Sequence, residues 1–74
     1  MGVRILVENS FTGEERELEL DENKTFKDAL RDIVPRDVED FTVLDMDGND
    51  VSNMRVKDFN GKKVMITAKI VRGG

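Results

Sequence analysis

The sequence predicts an α+β fold: two strands, one helix and two further strands, giving a mixed sheet of four to five strands with the helix packed across it. Three observations carry this. Val3, Ile5 and Val7 alternate with Arg4, Leu6 and Glu8, and Val64, Ile66, Ala68 and Ile70 alternate in the same way near the other end, the period of a half-buried strand. Leu18 and Leu20 point one way while Glu17, Glu19 and Asp21 point the other. A single stretch, Phe26, Ala29, Leu30 and Ile33, has helical spacing instead.

Asn9-Ser10-Phe11-Thr12-Gly13 supplies turn chemistry between the first two strands, so they form an antiparallel hairpin. Thr25, with Asp28 three residues on, reads as a helix N-cap with an acid in the first turn. Pro35 stops the helix near Val34, because the residue before proline avoids the α region. The helix then spans 25–34, about two and a half turns at 3.6 residues per turn, and needs a sheet to lie on. Phe41 to Met46 reads as the third strand and Asp47-Gly48 as a tight turn; Val51 begins a short return strand that Ser52-Asn53 ends. Val56 and Phe59 anchor an irregular segment before the last strand. The expected core is Leu18, Leu20, Phe26, Leu30, Ile33, Leu44, Phe59 and Ile66. Hairpin, helical crossover and two more strands leave few other compact arrangements.

With 74 residues the chain is one domain at most. It has neither cysteine nor histidine, which removes disulfides, thiolate metal sites and the commonest general base. No nucleophile–base pair stands out, so the protein is not expected to be an enzyme and no catalytic residue is named. A net charge of −4 with 38% charged residues argues against nucleic acid or an anionic membrane as the main partner. No apolar run has the length of a membrane span, and no signal-peptide core is present; a cytoplasmic monomer is expected.

The chain resembles ubiquitin and its relatives along nearly its whole length. The residues that carry the resemblance are Arg72-Gly73-Gly74 after a final strand, Phe11-Thr12-Gly13 in the first hairpin, Thr25 at the helix start and Asp58-Phe59-Asn60 before the last strand. The short helix followed by Val34-Pro35, and the run Val43-Leu44-Asp45-Met46-Asp47-Gly48, look more like a second branch. That branch holds the archaeal small ubiquitin-like modifiers and the sulfur carriers of thiamine and molybdopterin synthesis. The resemblance implies a β-grasp domain over 1–70 and a flexible tail over 71–74.

It also implies a chemistry. An E1-like partner would use ATP to adenylate the Gly74 carboxylate, and sulfur would capture the acyl-adenylate. The product is then a thioester leading to a lysine isopeptide, or a thiocarboxylate that donates sulfur. The protein itself binds no cofactor. Its partners are the activating enzyme and either lysine-bearing acceptor proteins or sulfur-accepting enzymes. Glycines suit such a tail: Gly73 and Gly74 fit a narrow channel and let the backbone approach a nucleotide. Residues 71–74 reach about 13 Å at ~3.3 Å per residue. Arg72, with Val71 beside it, is either a contact to the activating partner or a solvated arginine. The expectation is that Gly74 is the terminal residue with a free carboxylate.

Other signals have plainer readings. Asp45 to Asp50 is rich in oxygen ligands, but its glycine is misplaced for a calcium loop and the closing glutamate is missing, so a turn is expected and no metal. Asn23-Lys24-Thr25 fits a glycosylation sequon, but the helix-cap role of Thr25 takes precedence. Lys24, Lys27, Lys57, Lys62, Lys63 and Lys69 are candidate acceptors for chain formation, or ordinary solvated charges. The apolar patch that ubiquitin's readers grip corresponds here to Phe11, Asp45 and Ala68 or Lys69; only Phe11 is large and apolar, and Asp45 breaks the pattern. Leu6, Phe41 or Val43, and Met65 are candidates for a different apolar face. The competing function is a non-conjugated β-grasp interaction module that binds partners through its sheet and has an inert tail.

Overall fold

The structure is a computed structural model that describes residues 2–69. Strand β1 (Gly2–Asn9) pairs antiparallel with β2 (Glu14–Asp21) from Gly2↔Asp21 to Asn9↔Glu14. The helix α1 (Phe26–Leu30) and a 3₁₀ turn (Arg31–Ile33) follow. Strands β3 (Phe41–Asp45) and β4 (Lys63–Ala68) are antiparallel to each other, with a second 3₁₀ turn (Val56–Phe59) between them. β4 pairs parallel with β1, Leu6↔Lys63 to Asn9↔Ile66. The result is an α+β fold with one mixed four-stranded sheet in the order β2-β1-β4-β3.

Alternation decides the core. Val3, Ile5 and Val7 of β1, Val64 and Ile66 of β4, and Phe41 and Val43 of β3 face Phe26 and Leu30 of α1. Val34, Val51, Val56 and Phe59 close the ends. Phe26 and Phe59 meet edge to face, with centroids 4.8 Å apart and planes at 85°, the arrangement ring quadrupoles favour.

A helix this short has little intrinsic stability, so its exposed backbone groups need partners. Thr25 accepts from the Asp28 amide through Oγ1 at 3.2 Å, as its position predicted. The other free amides are met from 50–56: Phe26 N donates to the Met54 carbonyl at 3.1 Å and Lys27 N to the Ser52 carbonyl at 3.0 Å. Thr25→Ala is expected to lower stability by about 1 kcal/mol, read as a shifted urea midpoint at unchanged slope.

Four expectations change. Ile33 is exposed (38%). Leu30, at φ −102° and ψ −1°, leaves α geometry. The 3₁₀ turn then rises faster per residue and carries Ile33 to the mouth of a groove, while Val34 takes the core place. Val34 is extended at φ −90° and ψ 138°, as a residue before proline should be. Leu44 is half-buried, because β3 presents Phe41 and Val43 to the core; the pairing Val43↔Ile66 fixes that parity. Leu18, on the edge strand β2, is only half-buried as well, though packed on the core. The return strand at Val51 does not form, so the sheet has four strands and not five. Instead Val51 N donates to the Val43 carbonyl at 2.8 Å, and Ser52 Oγ accepts from Val43 N at 2.8 Å. A buried hydroxyl thus stands in for the ladder of a fifth strand, and it donates onward to Asp50 Oδ1 at 2.6 Å.

Candidate functional site

The predicted site residues Val71, Arg72, Gly73 and Gly74, and Ile70 at the predicted strand end, lie outside the described residues. What the fold defines is their root. β4 is an interior strand, paired with β1 on one side and β3 on the other, so Val64 to Ile66 are held from both edges and Thr67 and Ala68 from β3. Ser10 reinforces this, donating to the Ile66 carbonyl from its backbone amide at 3.0 Å and from Oγ at 2.6 Å.

Beyond Ala68 a single carboxylate gathers the root. Asp40 Oδ2 takes Lys69 Nζ at 3.1 Å, and Asp40 Oδ1 takes Lys27 Nζ from the helix and the Phe41 amide at 2.9 Å. Asp40 was not among the predicted site residues, because the two lysines that it pairs with lie far from it along the chain. The Lys27 ammonium, then Lys69 and the Phe41 amide, hold the Asp40 carboxyl well below the usual carboxylate range. A carboxylate lowered in the folded state contributes stability above its unfolded pKa and loses it as pH falls through the folded value. Asp40→Asn is therefore expected to be less stable than the parent at neutral pH, with the difference vanishing in strong acid. Paired urea titrations across pH test this; a gap that persists in acid would mean the ion pairs are not its source.

The six lysines divide by environment. Lys27 and Lys69 are held by Asp40. Lys63 bridges Glu15 at 2.5 Å and Glu8 at 3.4 Å, and these carboxylates, Glu15 first, raise its pKa and keep the amine protonated. Lys62 sits over the Phe59 ring at 5.8 Å. Lys24 and Lys57 are exposed.

The anticipated reader patch does not converge. Phe11 is half-buried and packs against the core from the β1–β2 turn. Asp45 and Ala68 stand at opposite ends of the β3–β4 ladder, opposite Val64 and Phe41 respectively, about 13 Å apart at ~3.3 Å per residue. The Asp45 carboxylate is occupied by its own turn, accepting from the amides of Asp47 and Asn49 at 2.9 Å each and from Asn49 Nδ2 at 3.1 Å. The Asn49 backbone and side chain are the main reasons its pKa is lowered.

The alternative apolar face needs one correction. Leu6 and Met65 do lie on the sheet face opposite the helix, but Phe41 and Val43 are in the core. Leu44 takes the third place, paired with Met65. The half-buried stripe Leu6–Met65–Leu44 is flanked by the Lys63 bridges and by Arg4–Glu17 at 3.5 Å. On the helix side, the groove of ≈ 200 Å³ beside Ile33 is floored by Val7 and Leu18, and Glu14 and Arg16 on its wall pair at 2.6 Å.

Among the described residues no helix is long and apolar enough to cross a membrane, and no cluster of acidic side chains is arranged to hold a metal. Comparison of the chain with protein-family models and with curated proteins finds no match.

Proposed function

We propose that the chain is a ubiquitin-like β-grasp protein that serves as a protein modifier, a sulfur carrier or both, through the carboxylate of Gly74. The observation that carries this is the placement of β4: an interior strand, parallel to β1, which precedes Val71-Arg72-Gly73-Gly74 in the sequence with Lys69 and Ile70 between. A reactive terminus on such a strand has a rigid base on which a partner can align it. The protein supplies a handle and a docking surface, and the catalytic groups belong to an E1-like activating enzyme in the cytoplasm.

The chemistry balances without a side chain of this protein. A Gly74 carboxylate oxygen attacks the α-phosphorus of ATP and pyrophosphate leaves. A sulfur nucleophile then attacks the acyl carbon and AMP leaves. From the thioester, a lysine amine forms the amide and releases the thiol, with loss of a proton. Where the nucleophile is sulfide the product is a thiocarboxylate: its sulfur attacks an activated carbon of the acceptor, whose leaving group departs, and water then cleaves the acyl–sulfur bond and restores the Gly74 carboxylate. Lys24 and Lys57 are the better amines for chain growth, since both are exposed and no carboxylate among the described residues pairs with them. The test is ATP–pyrophosphate exchange dependent on this protein and an E1-like enzyme, with intact mass of the protein from its native cell. Sulfur-for-oxygen exchange at the terminus marks a carrier; lysine-linked species stable to thiols mark a modifier. Neither product, with no exchange, would refute the proposal. The stripe Leu6–Met65–Leu44 supports a second function, a β-grasp module that binds partners through its open sheet face with an inert tail.

A further inference from the structure

We infer that Asp40 is a positioning residue: it pins Lys69, the last described residue before the tail, to the helix and to the start of β3, and so sets the direction in which the tail leaves the sheet. The inference rests on the proposed role of Gly74.

The geometry is specific. The Asp40 carboxylate receives three donors from three elements: Lys27 Nζ of α1, the amide of Phe41 at the head of β3 at 2.9 Å, and Lys69 Nζ just past β4 at 3.1 Å. Lys69 has left the β ladder, which ends at Phe41↔Ala68. The Asp40 contact therefore extends the fixed part of the chain by one residue beyond the sheet. Isolated exposed ion pairs achieve little, but a carboxylate shared by two ammonium groups and an amide is a network, in which one side chain is ordered once for several contacts. Its side chain is 33% exposed, against 62% for Lys69, so the more buried partner is the anchor and the lysine the part held.

The residues after Lys69 start from the position and angle that Lys69 is given, so a change at residue 69 is passed on to them. Without the pin, the activating partner must order that hinge on binding. Ordering before chemistry raises KM and leaves kcat nearly unchanged.

Asp40→Asn keeps an acceptor for the Phe41 amide and removes the attraction for both lysines. Asp40→Glu restores the charge. Backbone ¹⁵N relaxation at Ala68 and Lys69 is expected to loosen in Asp40→Asn at Lys69 alone, with the core unchanged, and to recover at least in part in Asp40→Glu. In ATP–pyrophosphate exchange with an E1-like enzyme, KM for Asp40→Asn is expected to rise about five-fold at constant kcat, the scale of ordering one more residue. Unchanged relaxation at Lys69 would overturn the inference, as would a looser Lys69 with unchanged KM. If the parent protein itself supports no exchange, the functional proposal fails instead, and the relaxation measurement alone decides whether Asp40 pins the root.

Discussion

Deletion of Gly74 is expected to abolish adenylation while leaving the fold intact. Removing one residue draws the terminal carboxylate back by about 3.5 Å, and misplacement of about 1 Å at a reacting centre already costs on the order of 100-fold in rate. Exchange should therefore fall by at least that factor even at saturating protein, a loss in kcat as well as in kcat/KM. Stability should stay within about 0.5 kcal/mol of the parent, since the core cluster is drawn from Val3 to Ile66. Gly74→Ala separates reach from width: it keeps the carboxylate at full length and adds only a methyl group. Activity retained in Gly74→Ala and lost on deletion identifies reach as the requirement. Loss in both identifies a channel too narrow for a Cβ. Full activity of the deletion variant would show that Gly74 is not the activated residue.

The second large effect is on the fold. Phe26 is fully buried, the first residue of α1, and stacked edge to face on Phe59. Phe26→Ala is expected to destabilise by about 3–5 kcal/mol, from lost transfer energy and the cavity left behind. A domain of 74 residues has a total stability of roughly 4–11 kcal/mol at the usual 0.05–0.15 kcal/mol per residue. The loss therefore takes about a quarter to all of that stability, and thermal melts are expected to show a midpoint lowered by roughly 12–40 °C at 4–8 °C per kcal/mol. A loss below about 1 kcal/mol would mean that Phe26 is not central to the packing.

Most of the architecture was legible because three of the four strands have an unambiguous parity. In β1, β2 and β4 the burial of alternate residues follows the apolar pattern that the sequence displays. β3 was not legible in the same way: Phe41 and Val43 are apolar on one parity, Leu44 and Met46 on the other. Only pairing with β4 settles which set is inside, and that information is non-local. Ile33 misled for a related reason, since helical spacing assumes that the helix keeps its pitch, and the chain changes to a 3₁₀ turn at Arg31. Ser52 passed as a polar strand terminator, whereas its hydroxyl serves as a backbone acceptor. Of the candidate site, the lysines and the tail motif could be read directly as residue types. Asp40 could not, because Lys27, Phe41 and Lys69 meet around it only after the sheet has assembled.

The pairing of β1 with β4 has a consequence for how the molecule is made. Leu6 and Lys63, separated by 57 residues from 63 − 6, are neighbours in the finished sheet. Until β4 is synthesised, β1 has one open edge and β3 has no neighbouring strand. The nascent chain can close its hairpin and sample its helix, but it cannot complete the core on the ribosome ahead of residues 63–68. Non-local closure of this kind is slow relative to local contacts. Assembly of the sheet is thus deferred until residues 63–68 are available, and a chain terminated before them lacks the strand that joins β1 to β3. A partner that recognises the assembled sheet therefore engages only chains that already carry β4, through Ala68.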